Sequence, residues 1–152
     1  MSDSQLQVIR LPHGEDIEMP DYASDGAAGI DLRAACDSNS PIIIEAAQRV
    51  LVPTGMIFEI PVGYEGQVRP RSGLALHHGV TCLNTPGTID SDYRGEVMVL
   101  LINHGSESFI IERGMRIAQL VIASVSRLAI VEGNLASPTM RGSDGFGSTG
   151  VN

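Results

Sequence analysis

Five short stretches of this chain are polar and rich in glycine, and we expect them to lie outside the protein core. They are AGIDL at 28–32, PRSGLA at 70–75, GTIDSDYRGE at 87–96, RGMRIAQL at 113–120 and RGSDGFGSTG at 141–150. Four of the five contain arginine, and all ten basic residues of the chain are arginines. The planar guanidinium group binds phosphates and carboxylates through paired hydrogen bonds. The stretches therefore suit the recognition of a small anion.

The third stretch contains the strongest candidate for acid–base chemistry. It is predicted to form a tight hairpin, with Ile89 directed inward and Asp90, Asp92, Tyr93 and Arg94 near the tip. Two carboxylates this close repel each other when both are ionised, which gives one of them the raised proton affinity of a base. A solvated turn accounts for the same residues, and their types and spacing alone favour the turn.

Two further stretches have both a binding and a structural interpretation. Asp31 lies between two apolar residues, and its spacing alone favours a turn or edge carboxylate. Arg71 and Ser72 lie at the start of a short helix predicted over Ser72 to His77, where unpaired backbone N–H groups favour an anion. A hydroxyl that only caps the helix uses the same geometry, so both interpretations of Ser72 stay open.

The composition changes at Ser137, after which the chain is rich in glycine and serine and has almost no core-forming side chain. Such a segment cannot offset its own ordering entropy. It is either a solubilising tail or an arm that becomes ordered when it closes on a ligand, and Phe146 favours the arm. Its backbone N–H groups, with Arg141, Ser148 and Thr149, suit the binding of phosphates.

The elements that position these stretches are predicted to form an all-β domain with one short helix. Seventeen glycines, eight prolines and many short β-branched runs indicate short strands that end at turns. Their spacing suits a sandwich or a barrel, and a chain with three phenylalanines, three tyrosines and no tryptophan must have an aliphatic core. The predicted strands are Leu6 to Arg10, Ile42 to Glu45, Arg49 to Val52, Met56 to Ile60, Gln67 to Arg69, Val80 to Leu83, Glu96 to Asn103, Ser108 to Glu112, Ile117 to Ile122 and Val125 to Glu132.

Composition and charge argue against several classes of protein. The formal net charge of −8 argues against nucleic acids and anionic membranes as partners. No apolar run approaches the roughly 18 residues of a membrane span, and the N-terminus has no signal pattern, so a cytoplasmic protein is expected. Cys36 and Cys82 have neither a disulfide nor a zinc-ligand spacing.

Taken together and in order, the five stretches closely resemble the five motifs of the trimeric dUTPase family, from Ala28 to Gly150. The resemblance implies a jelly-roll-like β-barrel over residues 1–136 and a C-terminal arm over residues 137–152. It also implies a homotrimer whose active sites are shared between subunits and closed by the arm. The implied reaction is the Mg²⁺-dependent hydrolysis of dUTP to dUMP and pyrophosphate, which lowers the dUTP level and supplies dUMP for dTMP synthesis.

The same resemblance implies a role for each motif. Asp90 matches the aspartate that activates water for attack on the α-phosphorus, and Tyr93 matches the tyrosine whose ring packs on the deoxyribose. Asp31 matches a carboxylate that contacts the Mg²⁺-triphosphate through water. The implied substrate-binding residues are Arg71, Ser72, Gly73, Asn84, Thr88, Ile89, Tyr93, Met98, Gln119, Arg141, Phe146, Gly147, Ser148 and Thr149.

Within that set, Asn84 matches the part of the family site that reads the uracil edge, and Phe146 matches the ring that stacks over the base. The second and fourth motifs contact phosphates, and the arm contacts the γ-phosphate. Two other functions stay as alternatives: the related dCTP deaminase, on the same fold, and a trimeric interaction module without catalysis. Tyr93 and the GFGSTG arm favour phosphoanhydride cleavage over deamination, and Asp90 argues against an inactive module.

Overall fold

The computed structural model describes residues 5–145, in which short antiparallel strands are the main element. Within these residues one α-helix, α1, spans Ser72–His78, and a 3₁₀ turn spans Pro12–Gly14. No helix in this part of the chain is long and apolar enough to cross a membrane. The strands are β1 Gln7–Arg10, β2 Ile30–Arg33, β3 Ile42–Ile44, β4 Arg49–Pro53, β5 Met56–Glu59, β6 Tyr64–Arg69, β7 Val80–Cys82, β8 Gly87–Ile89, β9 Met98–Asn103, β10 Phe109–Ile111 and β11 Arg116–Ser124.

The strands are arranged in four antiparallel sheets. The largest has the order β2-β11-β6-β8, and a three-stranded sheet has the order β4-β9-β7. β1 pairs with β5, and β3 pairs with β10. β11 pairs with β2 on one side and with β6 on the other, so that Gln119 lies opposite both Asp31 and Arg69. This register brings the first and fourth polar stretches side by side.

The core is aliphatic, as the composition predicts. Alternate residues of β9 are buried, and the buried asparagine at the end of that strand, Asn103, donates to the carbonyl oxygens of Ile44 and Glu107 at 2.9 and 2.7 Å. Full burial of one large apolar side chain contributes roughly 1.5–3 kcal/mol, so these residues stabilise the sheets that carry the polar stretches. The largest fully buried side chains include Phe58, Leu32, Ile44, Leu101, Ile111, Ile117 and Leu120. Leu32, Ile117 and Leu120 belong to the first and fourth polar stretches, so the expectation that these stretches lie outside the core is wrong for their apolar residues.

Most of the local predictions are confirmed. α1 covers the predicted helix and ends at Gly79, which has a φ of 68° and donates its N–H to the carbonyl oxygen of Ala75. A left-handed residue of this kind is a common helix end, and glycine adopts it without steric cost. Every predicted strand except the last corresponds to an observed strand.

The predicted strand Val125 to Glu132 is wrong. β11 ends at Ser124, and residues 125–145 are exposed and have no regular secondary structure. Leu128 and Ile130 are 86% and 100% exposed. β-Branched residues form a strand only where another strand pairs with them, and no strand within residues 5–145 pairs with this segment.

The predicted hairpin at 87–96 is also wrong. β8 pairs with β6 in the four-stranded sheet, whereas the next strand, β9, pairs with β4 and β7. Residues 90–97 therefore connect two sheets. Ile89 is directed inward as predicted, because it is partly buried and packs against the core.

One arginine fixes the segment before β2 to the rest of the fold. Arg113 donates to both carboxylate oxygens of Asp16, with 3.0 Å between Nε and Oδ2. It also donates to the carbonyl oxygens of Cys36 and His13 at 2.8 and 2.7 Å. The hydrogen bonds from Arg113 hold the pKa of the Asp16 carboxyl below its ordinary value of 3.8.

This lowered pKa predicts a pH-dependent stability. A carboxyl group whose pKa is lower in the folded state stabilises the fold above its unfolded pKa, and the stabilisation is lost as the pH falls through the folded value. We expect Asp16→Asn to lower the thermal unfolding temperature near neutral pH, and the difference from the unchanged protein to shrink as the pH falls below the ordinary aspartate value of 3.8. Asp25→Asn, at another exposed aspartate, is the control. An Asp16→Asn difference that stayed constant with pH would contradict the assignment.

Candidate active site

The first, second and fourth polar stretches meet at one end of the four-stranded sheet. Asp31 is on β2, Arg116 is on β11, and Arg71 follows β6 at the N-cap position of α1. Because β11 is antiparallel to both β2 and β6, the start of β11 lies beside the ends of its two neighbours. We refer to Asp31, Arg71 and Arg116 as the arginine cluster.

Asp31 bridges the two guanidinium groups of this cluster. Arg71 Nε lies 3.1 Å from Oδ1 of Asp31, and Arg116 Nη1 lies 3.3 Å from Oδ2. Arg71 Nη1 also donates to the carbonyl oxygen of Arg116 at 3.4 Å. The Asp31 side chain is 19% exposed, and both arginines are more exposed than that. The three side chains of the cluster together carry one net positive charge, and guanidinium groups bind phosphates through paired hydrogen bonds.

The start of α1 lies beside the cluster. Arg71 occupies the N-cap position, and no side-chain hydrogen bond caps this end of the helix. The interpretation of Ser72 as a helix cap is therefore wrong. Ser72 and Gly73 are exposed, and a Cβ atom at Gly73 would meet nothing within 4 Å. With Gln119 on β11, these residues form a surface of hydroxyl, amide and backbone N–H groups next to the two guanidinium groups.

Sequence reasoning missed Arg116. It assigned the phosphate contact of the fourth stretch to Gln119, three residues later on the same strand. The pairing of β11 with β2 shifts register between Arg116 and Ala118, and a bulge of this kind redirects a side chain. Because all side-chain cations of this chain are arginines, the arginine at the start of the strand was the available signal.

The third polar stretch contributes to a separate cavity of about 310 Å³, which we call the Tyr93 cavity. Its size is at the lower end of the range for sites that bind small molecules. It combines an apolar wall with one exposed carboxylate, that of Asp90. Five residues predicted to act on substrate share this cavity. Its lining residues are Leu51, Thr88, Ile89, Asp90, Tyr93, Glu96 and Met98.

A tight turn presents Asp90 and Tyr93 to the cavity. The backbone N–H of Tyr93 donates to the carbonyl oxygen of Asp90 at 3.1 Å. Arg94 Nη1 donates to the carbonyl oxygens of Ser91 and Tyr93 at 2.8 and 2.9 Å, and Arg94 Nε lies 3.6 Å from the carboxylate of Glu59. The arginine of the third stretch therefore stabilises the turn.

The remaining predicted residues lie outside both groups. Asn84 is exposed and is absent from the cavity lining, although its amide nitrogen lies only 3.0 Å from where a Cβ atom of Gly87 would be. Arg141 is exposed and donates through Nε to the carbonyl oxygen of Asp144 at 2.9 Å. The predicted arm residues Phe146, Gly147, Ser148 and Thr149 lie outside the described residues.

Asp31 of the arginine cluster and the β8 wall of the Tyr93 cavity lie at opposite edges of the same sheet, whereas Arg71 follows β6, the neighbour of β8. Asp31 is on β2 and Thr88 is on β8, which are the outer strands of the order β2-β11-β6-β8. With three strand spacings between them, the two edges are roughly 14 Å apart. The cavity lining includes neither Asp31 nor the two arginines that it bridges. Within one chain, the predicted residues therefore form two half-sites.

Asp31 is the residue of the arginine cluster whose chemistry fits Mg²⁺. Within residues 5–145, no group of three or more His, Cys, Asp or Glu side chains could hold a metal ion. Mg²⁺ usually keeps several waters and binds through one or two carboxylates and the substrate phosphates. The partly exposed Asp31 suits this mode of binding, because it can contact a hydrated ion that arrives with a triphosphate.

Comparison with known proteins gives one consistent result. The family model described as dUTPase matches residues 15–150. A deoxyuridine 5'-triphosphate nucleotidohydrolase of Rhizobium meliloti is 65% identical over 146 residues, which cover 96% of this chain and 91% of the relative. Its counterpart in Mesorhizobium japonicum is 63% identical over 143 residues, with 94% and 89% covered. A solved structure of a mutant Staphylococcus bacteriophage 80alpha dUTPase with dUpNHpp is 26% identical, covers 97% of this chain and 99% of that chain, and has a TM-score of 0.83.

Proposed function

This chain belongs to the dUTPase family, and we propose that it hydrolyses dUTP to dUMP and pyrophosphate with Asp90 as the base. The observation that carries the proposal is the Tyr93 cavity, in which one exposed carboxylate and one tyrosine face an apolar wall. The reaction lowers the dUTP level and supplies dUMP for dTMP synthesis.

Asp90 accepts a proton from a water molecule and directs the water oxygen at the α-phosphorus. The new P–O bond forms as the bond between the α-phosphorus and the bridging oxygen to the β-phosphorus breaks. The products are dUMP and pyrophosphate, and the proton stays on Asp90 until it is released to solvent. Asp90 is exposed and lines the cavity, which supports the role, because a water molecule can reach its carboxylate.

The Tyr93 cavity holds the nucleoside. The Tyr93 ring packs on the deoxyribose and leaves no room for a ribose 2'-hydroxyl, while Thr88, Ile89 and Met98 contact the nucleoside from the other walls. A steric clash of this kind weakens the binding of UTP, so the preference for dUTP requires no additional contact with dUTP. The position of the ring in the cavity lining supports the role.

The arginine cluster holds the phosphates. Arg71 and Arg116 exchange part of their contact with Asp31 for contact with the triphosphate, helped by Ser72, Gly73 and Gln119. When Mg²⁺ is bound, it neutralises part of the phosphate charge and polarises the phosphoryl oxygens. Asp31 is the residue that would hold the ion, through its coordinated water.

We propose that a complete site contains residues from more than one copy of the chain. Asp31 and Thr88 lie on opposite outer strands of one sheet, and no residue of the arginine cluster lines the Tyr93 cavity. Residues 125–145 carry exposed apolar side chains such as Leu128, Ile130 and Leu135, which leave apolar surface for another copy of the chain to cover. We therefore propose a homotrimer, in which one copy supplies the Tyr93 cavity, a second the arginine cluster and a third the C-terminal arm.

The substrate range tests the proposed function. We expect pyrophosphate release from dUTP and at least roughly tenfold lower kcat/KM for dCTP, dTTP and UTP assayed in parallel, since each differs from dUTP in a group that the site reads. Ammonia release from dCTP would instead indicate a deaminase. Failure to act on any of the four nucleotides, with dUTP still bound, would indicate a binding module.

A further inference from the structure

We infer that Glu96 and Gly95 are positioning residues that hold the Tyr93 ring in place, so that the preference for deoxyribose over ribose depends on them. This inference rests on the proposed function. Glu96 Oε1 accepts a hydrogen bond from the backbone N–H of Gly55 at 2.6 Å and lies 2.8 Å from Nε2 of His13. The carbonyl oxygen of the same residue accepts a hydrogen bond from Tyr93 Oη at 3.0 Å.

The group that holds Glu96 is rigid. Gly55 forms the turn between β4 and β5 with a φ of 70°, and it packs backbone to backbone against Gly14 of the 3₁₀ turn, where a Cβ atom would be 2.4 Å from the Gly55 carbonyl oxygen. The backbone N–H of Leu11 donates to that oxygen at 2.8 Å. The Glu96 side chain is 18% exposed, so its contacts are largely shielded from water.

The residue after Glu96 is fixed to the same turn. The Thr54 hydroxyl donates to the carbonyl oxygen of Val97 at 2.6 Å, and the N–H of Val97 donates to the carbonyl oxygen of Met56 at 2.9 Å. Both the side chain and the backbone of residues 96–97 are therefore bound to the β4–β5 turn. The Tyr93 hydroxyl therefore donates its hydrogen bond to a carbonyl group, that of Glu96, whose position these contacts restrict.

The backbone of Gly95 lies against the Tyr93 ring. A Cβ atom at this position would lie 2.4 Å from Tyr93 Oη and 2.6 Å from Cζ. The ring therefore rests on the bare backbone of Gly95, and any side chain there would displace it. Tyr93 is 43% exposed, so few other contacts define its rotamer.

A steric wall excludes a hydroxyl group only if it cannot move aside. An exposed tyrosine can change rotamer at a cost well below that of the clash it is meant to impose. The hydrogen bond to the Glu96 carbonyl and the contact with Gly95 restrict that movement. The carboxylate of Glu96 thus acts on sugar selection through Tyr93.

The test measures kcat/KM for dUTP and for UTP in single and double variants. We expect the dUTP-to-UTP ratio to fall about tenfold in Glu96→Ala and in Gly95→Ala, as expected for loss of a small steric discrimination. Glu96→Gln, which keeps an acceptor for the Gly55 N–H, should retain the ratio. The matched control is Asp92→Asn, because Asp92 is exposed in the same turn and does not line the Tyr93 cavity; its ratio should not change.

A double-variant cycle separates positioning from general damage. If Glu96 acts through Tyr93, adding Glu96→Ala to Tyr93→Ala should cause no further loss of the ratio. Losses that add would overturn the inference, as would an unchanged ratio in both Gly95→Ala and Glu96→Ala. Gly95→Ala decides the question alone if Glu96→Ala does not fold. An unchanged ratio in Tyr93→Ala would instead show that the proposed role of Tyr93 is wrong.

Discussion

Replacement of Asp90 by asparagine is expected to lower the turnover of dUTP by roughly 10²-fold or more while nucleotide binding survives. The carboxamide has nearly the same size as the carboxylate and still forms hydrogen bonds, but it cannot take a proton from water. The loss should therefore appear in kcat rather than in the affinity for a non-hydrolysable dUTP analogue. Single-turnover rates and analogue titrations measure the two quantities separately.

The neighbouring aspartate provides the matched control. Asp92 is exposed in the same turn but does not line the Tyr93 cavity, so Asp92→Asn should retain most of the activity. If binding fell in parallel with turnover in Asp90→Asn, Asp90 would have a structural role. Full turnover in that variant would show that the base is another group.

The local part of the fold could be predicted from the sequence, and the non-local part could not. α1 and most strands follow from short apolar runs and from the glycine and proline residues that end them. β2 and β8 were missed because they have only four and three residues, and each contains a residue type that is uncommon in strands, Asp31 in β2 and Gly87 in β8. The hairpin prediction failed because β8 and β9 lie next to each other in sequence but pair in different sheets, and local residue types do not determine which strands pair.

The incorrect strand after Val125 has a related cause. The segment has the β-branched residues of a strand, and its apolar side chains are exposed within its own chain. Its pattern is consistent with pairing or packing against another copy, as the proposed trimer would provide. In a sequence, apolar residues that pack against another chain have the same pattern as apolar residues that pack within their own chain.

The sequence predicted which residues belong to the candidate site, but it did not predict how they are grouped in space. The order of the five motifs identified Asp90, Tyr93 and Arg71, but it did not indicate that the first two and the third belong to different half-sites. Nor did it indicate that Asp31 would pair with two guanidinium groups. That pairing keeps two cations together, and in the proposed function a triphosphate, with more negative charge, competes for them.

Truncation of the chain before Arg141 is expected to remove most of the activity, by roughly 10²-fold or more, because the remaining groups would hold the triphosphate less accurately. The fold should survive, since the buried core lies between Ile17 and Leu120. Residues 125–140, with their exposed apolar side chains, are kept, so the proposed trimer should also survive. Thermal unfolding and native mass measure these two properties. A chain that ends at Gly150 retains the fifth motif and serves as the control.

Mixing two inactive variants tests whether the arm acts on a neighbouring subunit. In trimers of truncated chains and Asp90→Asn chains, every chain with an intact Asp90 lacks its own arm. Activity can therefore return only where the arm of an Asp90→Asn chain closes on the Asp90 of another subunit. We expect mixed trimers to recover a fraction of the wild-type rate, set by the share of sites with this combination. Mixed trimers that form, as native mass would show, but remain inactive would rule out an arm that acts between subunits.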